Sequence, residues 1–146
     1  MNYFEYKNGE LYGEDVPLAH IARTVGTPVY IYSYKTLERH FRVFDGAFQS
    51  TPRITCYSCK ANSNIAILRV MGNLGGGTDI VSGGELFRAL KAGISPQKIV
   101  FSGVGKTEEE IKSAVKAGIL MINVESADEL AAIRGVARRL KKKVPL

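Results

Sequence analysis

The sequence predicts an α/β fold: residues 35–146 read as about four βα units of a partial parallel (β/α)8 barrel of the TIM type. Three observations predict it. From Lys35 onward, short apolar runs alternate with stretches of helical periodicity, the pattern of a parallel sheet with crossover helices. The units recur every 20 to 24 residues with almost no excess loop. The turn after the first of these strands, Lys60-Ala61-Asn62-Ser63-Asn64, lacks the glycine fingerprint that an open Rossmann sheet carries there. Right-handed crossovers fit either an open doubly wound sheet or half of a closed barrel. The tight spacing and the missing glycines favour the barrel.

Residues 1–34 have a different character. Aromatics alternate in Tyr3-Phe4-Glu5-Tyr6, and Asn8-Gly9 is a hairpin turn pair flanked by strand formers. A short helix is expected around Leu18 to Arg23, stopped by Gly26, with Pro28 opening a strand over Val29 to Tyr32. Helical spacing of Leu37, Phe41 and Phe44 predicts a helix over residues 35–48. Strands are then expected at residues 54–59, 78–82, 98–102 and 121–125. Helices are expected at residues 63–74, 84–92, 108–117 and 127–141, with Gly93 and Gly118 closing the second and third. Val144-Pro145-Leu146 reads as the start of a fifth strand, so the barrel is expected to be truncated.

Composition narrows the class. Hydrophobic residues make up 45%, enough for a packed core. No apolar run approaches the roughly 18 residues of a membrane span, and Met1 to Tyr6 has neither region of a secretory signal. No membrane partner and a cytoplasmic location are therefore expected. Of the 20 basic residues behind the net charge of +6, five lie in Arg138 to Lys143, at an expected helix C-terminus where cations meet the negative end of the dipole. No aromatics interleave with them, so no nucleic-acid partner is expected. Cys56 and Cys59 are spaced C-x-x-C, but on a strand such residues point to opposite faces, which reads as two structural thiols. His20 and His40 are too few and too isolated for a metal site.

Chemistry concentrates at strand ends. Lys60 falls at the C-terminal end of the first barrel strand, where parallel barrels place catalytic groups. By strand parity Cys56, Ser58 and Lys60 share one face, so that Lys60 rises into the barrel mouth if the small side chains face the axis. A lysine buried there can act as a neutral amine and form a Schiff base with an aldehyde; a solvated lysine is the equal alternative. Asp79, after Gly75-Gly76-Gly77, is either an incidental acid beside a turn or a carboxylate that orients a ligand. Ser82-Gly83-Gly84-Glu85 runs from a strand into a helix N-terminus, where Glu85 is either a capping charge or part of a ligand site. Ser102 to Thr107 suggests a P-loop, but Val100 occupies the place of its first glycine.

Taken together, Phe4 to Leu11, Val25 to Tyr30, Tyr57 to Asn64 around the lysine, Asp79 to Leu86, Ile99 to Thr107 and Asn123 to Ser126 resemble the alanine-racemase-like group of pyridoxal-phosphate enzymes, and within it the diaminopimelate decarboxylase branch. The lysine block marks the broad group; Ser82-Gly83-Gly84-Glu85-Leu86 and Phe101 to Thr107 mark the branch. Ser58 stands where the family has alanine or proline, and Thr78 where it has an aromatic. The resemblance implies pyridoxal 5'-phosphate as cofactor, Lys60 as its catalytic Schiff-base residue, Asp79 as a neighbour of the ring and Glu85 as a supporting residue of the cofactor site. It implies that residues 1–34 belong to a β domain, and that the remaining half-barrel, phosphate loop, ring-stacking histidine and pyridine-nitrogen partner lie beyond Leu146. The complete protein is then expected to be a homodimer that takes a small amino-acid substrate and decarboxylates meso-diaminopimelate to L-lysine and CO₂. Residues 1–146 alone are expected to be inactive. Ornithine, arginine or a carboxylated polyamine on the same scaffold is the alternative substrate, and a cofactor carrier without turnover the alternative class.

Overall fold

A computed structural model describes residues 2–146. They form two compact units, one ending at Phe48 and one running from Gln49 to Leu146. In the first unit Asn8 and Gly9, both at positive φ, turn β1 (Phe4–Lys7) onto β2 (Glu10–Gly13), as the turn pair predicts. β3 (Val16–Pro17) completes an antiparallel sheet and leads into α1 (Leu18–Val25), which Gly26 ends. The strand expected at residues 29–32 does not form. Strand formers become a strand only where a ladder is offered, and the sheet of β1, β2 and β3 does not include them. α2 (Tyr34–Gly46) follows, capped by Ser33. The Glu14 carboxylate accepts from the Ser33 hydroxyl at 2.7 Å and from the Lys35 N–H at 2.8 Å, tying the start of α2 to the hairpin. This compact unit thus extends through α2.

The second unit is a parallel sheet in chain order: β4 (Cys56–Ser58), β5 (Gly77–Ile80), β6 (Ile99–Phe101) and β7 (Met121–Ile122). Between and after them run α3 (Ile65–Asn73), α4 (Gly83–Lys91), α5 (Glu108–Ala117) and α6 (Ala127–Leu140). An α/β fold with a parallel sheet is what the alternation predicts. Each strand is shorter than its apolar run. After β7 the segment 144–146 is not a strand, yet Ile122 N–H donates to Pro145 O at 3.0 Å, a first rung on the sheet edge.

Register separates the two faces. Ile80, Phe101 and Ile122 lie side by side, as do Thr78 and Ile99, and all five are fully buried. They pack with Leu68, Leu86, Ala89, Ile111, Ala114, Ile133 and Val136 from the four helices, so the helices cover this face. Burial of each large side chain contributes roughly 1.5–3 kcal/mol. Thr78 is polar in that core, but its hydroxyl donates to the Tyr57 carbonyl at 2.9 Å, which satisfies it. The opposite face carries Cys56, Ser58, Asp79, Val100, Ser102, Met121 and Asn123, none of them fully buried. On that side Gly77 is required, since a β-carbon there would run into the Lys98 carbonyl. Among the described residues no helix is long and apolar enough to cross a membrane.

Candidate functional site

The three helices α4, α5 and α6 begin in the same way. Ser82, Thr107 and Ser126 accept from the N–H of Glu85, Glu110 and Glu129 three residues on, satisfying a free donor of the first turn. Each glutamate then reaches backward: Glu85 accepts from Val81 N–H at 2.7 Å, Glu110 from Thr107 N–H at 2.9 Å, Glu129 from Glu125 N–H at 2.7 Å. Glu110 also accepts from Gly83 N–H at 2.8 Å, joining the starts of α5 and α4. The Gly83 and Thr107 N–H groups hold its carboxyl below the usual range. These caps stiffen the loops at the C-terminal edge of the sheet.

Lys60 lies at that edge, one residue into a 3-10 turn over Cys59–Ala61. β4 ends at Ser58, so strand parity does not extend to Lys60 as the sequence reading supposed; the turn sets its direction instead. Lys60 is exposed, and these residues do not supply the burial expected of a lysine in a barrel mouth. Among the described residues its amine has no hydrogen bond or ion pair. Lys106, the other lysine in a loop leaving a strand end, is the opposite case. Its side chain is 0% exposed, and its ammonium donates to Gly103 O at 2.7 Å, Asn123 O at 2.8 Å and Glu129 Oε1 at 2.7 Å. Burial opposes ionisation of Glu129, yet the bonds from Lys106 and the Glu125 N–H keep its carboxyl below the usual range. One lysine is fully engaged in structure, the other is free.

Asp79 sits on β5 in register with Ser58, on the open face, two residues from Lys60 along β4's course. Its Oδ1 accepts from the Ser102 hydroxyl at 2.5 Å, and Ser102 Oγ accepts from Asn123 Nδ2 at 2.9 Å. Three neighbouring strand ends thus contribute one hydrogen-bonded row. Glu85 is not part of it; only 8% exposed, it is turned to the backbone at the start of α4. The sequence reading missed Ser102, Asn123 and the Lys106–Glu129 pair. Alternation along β6 and β7 would have placed Ser102 and Asn123 on the face of Asp79, but only the register shows that they meet.

Cys56 and Cys59 are both free thiols. Burial first, then the nearby Glu85 charge, pushes Cys59 up to about 11, and burial with the Asp79 charge raises Cys56.

Residues 34–146 match the family model described as pyridoxal-dependent decarboxylase, pyridoxal binding domain. The diaminopimelate decarboxylase of Vibrio cholerae is 50% identical over 147 aligned positions, covering 100% of this chain and 35% of that protein. A crystal structure from Aquifex aeolicus superposes with a TM-score of 0.92 at 48% identity, over 97% of this chain and 35% of that one. A crystal structure of diaminopimelate decarboxylase from Helicobacter pylori, complexed with L-lysine, superposes with a TM-score of 0.83 at 44% identity, over 87% of this chain and 32% of that one. The chain spans about a third of the length of the curated relatives it matches.

Proposed function

Because the chain belongs to the pyridoxal-dependent decarboxylases, whose pyridoxal-binding domain its residues 34–146 match, we propose that the complete protein decarboxylates meso-diaminopimelate to L-lysine and CO₂. The observation that carries this reading is the 50% identity to a diaminopimelate decarboxylase across the whole chain. The donor set fits the cofactor: a free amine at Lys60 to carry its aldehyde, and a carboxylate at Asp79 on the adjoining strand to face a cationic nitrogen. Bound there, pyridoxal 5'-phosphate supplies an electron sink for the pair left behind by the departing carboxylate.

The residues of this chain prepare that chemistry. Lys60 presents its amine from a turn anchored on both sides, by the β4–β5 ladder before it and by Tyr57 Oη donating to Asn62 O at 3.2 Å after it. Asp79 is held by Ser102, and Glu85 acts through the position of the first turn of α4. We read the four parallel strands in chain order, helices on one side, as the first half of a (β/α)8 barrel whose axis faces Asp79 and Ser102. Residues 1–34 we assign to a β domain, a division supported by the family match beginning at residue 34. The complete protein acts as a cytoplasmic homodimer on a small amino acid.

A competition assay with the complete protein tests the substrate. Meso-diaminopimelate is expected to be decarboxylated in preference to ornithine and arginine. Preference for ornithine would overturn the substrate while leaving the family intact.

A further inference from the structure

Resting on that reading, we propose that Ser102 and Asn123 are positioning residues that aim the Asp79 carboxylate at the nitrogen carried by Lys60, with Lys106 locking both in place. A serine hydroxyl has one proton to give. Asn123 Nδ2 donates to Ser102 Oγ at 2.9 Å, so the serine proton is left to point at Asp79 Oδ1, 2.5 Å away. The chain of donors therefore has a single sense, from Asn123 through Ser102 to a carboxylate that only accepts. One oxygen of Asp79 is pinned, and the plane of the carboxylate is set.

The backbone behind the row is fixed separately. The Lys106 side chain is wholly buried, and its ammonium donates to the carbonyl of Asn123 itself and to that of Gly103, next to Ser102. Glu129 balances its charge at 2.7 Å. A buried lysine whose three protons go to two loop carbonyls and one carboxylate holds those loops at fixed separation. The capping needs of α5 and α6 do not explain why Lys106 is buried: Thr107 and Glu110 cap the one, Ser126 and Glu129 the other. The titratable groups whose charge Asp79 is seen to affect are Cys56 on β4 and Cys59 in the turn after it, and Glu85 on α4 also acts on Cys59.

A carboxylate aimed at a protonated nitrogen favours its charged form. The visible absorption of the cofactor-loaded complete enzyme reports protonation of that nitrogen as pH is raised. Ser102→Ala is expected to lower the midpoint of this titration by roughly half a unit to one unit, in the same direction as Asp79→Asn and by less. Ser102→Thr, which keeps the hydroxyl, is expected to titrate as the parent does. Should Ser102→Ala fail to fold, Asn123→Ala, at an exposed position, is expected to lower the midpoint in the same sense. A midpoint unchanged in the folded alanine variants, with cofactor bound, overturns the positioning role and leaves the family reading standing. A parent enzyme with no lysine-bound absorption overturns both.

Discussion

Lys60 and Lys106 occupy comparable places at strand ends and have opposite roles, and the difference lies in which donors are already satisfied. The Lys106 ammonium has every proton engaged and its side chain is buried; Lys60 has no partner among the described residues, as the proposed Schiff-base role requires. Asp79 lies between these extremes, with one oxygen bound by Ser102. Replacing Asp79 with alanine in the complete protein is therefore expected to lower turnover by about tenfold or more, the scale of one lost opposite-charge contact, with little change in melting temperature. A large fall in melting temperature with unchanged kinetics would make the residue structural. Cys59 illustrates a reactive group made inert. With its thiol pushed up to about 11 and no exposed surface, it is expected to resist maleimide at pH 7.5 in the folded protein and to react on addition of denaturant. Rapid labelling of Cys59 in the native state would contradict its burial in the core.

Helices were more legible in the sequence than strands, and the reason is local chemistry. Ser82, Thr107 and Ser126, each with glutamate three residues on, mark helix starts within one residue of those observed, while Gly93 and Gly118 lie at or just past the ends of α4 and α5. A strand depends on a distant partner. Ile54 to Cys59 reads as one strand of six residues, yet β4 pairs over only Cys56–Ser58 before turning at Cys59. Val29 to Tyr32 has strand-forming residues and no place in a ladder. The same dependence hid the row from Asp79 to Asn123, whose members are at least 21 residues apart in the chain. The glutamate caps carry a pH-dependent prediction. The folded carboxyl of Glu110 is lower than its unfolded one, so its contribution is complete above the ordinary carboxylate range and is lost as pH falls through the folded value. Glu110→Gln is accordingly expected to destabilise the protein at pH 7 by about 1 kcal/mol, and the gap from the parent is expected to close below about pH 4. Denaturation curves at pH 7 and pH 3.5 check this; an equal gap at both would remove the charge from the account.

At the scale of the whole molecule, the second unit stands out: its sheet has a helix-covered apolar face and an open face on which Ser58, Asp79, Ser102 and Asn123 collect near the C-terminal strand ends. That asymmetry fits the reading proposed above, in which the open face turns toward the axis of a barrel. The alternation of apolar runs was enough to reveal the sheet. The identity of the chemistry came from Lys60 and the blocks around it, since no distribution of charge or hydrophobicity distinguishes a cofactor lysine from a solvated one. Whether Lys60 carries pyridoxal 5'-phosphate is decided by borohydride reduction of the complete, cofactor-loaded protein followed by peptide mapping. A phosphopyridoxyl group is expected on the peptide containing Lys60 and on no other. The same group on Lys106, or on any lysine other than Lys60, would contradict this assignment.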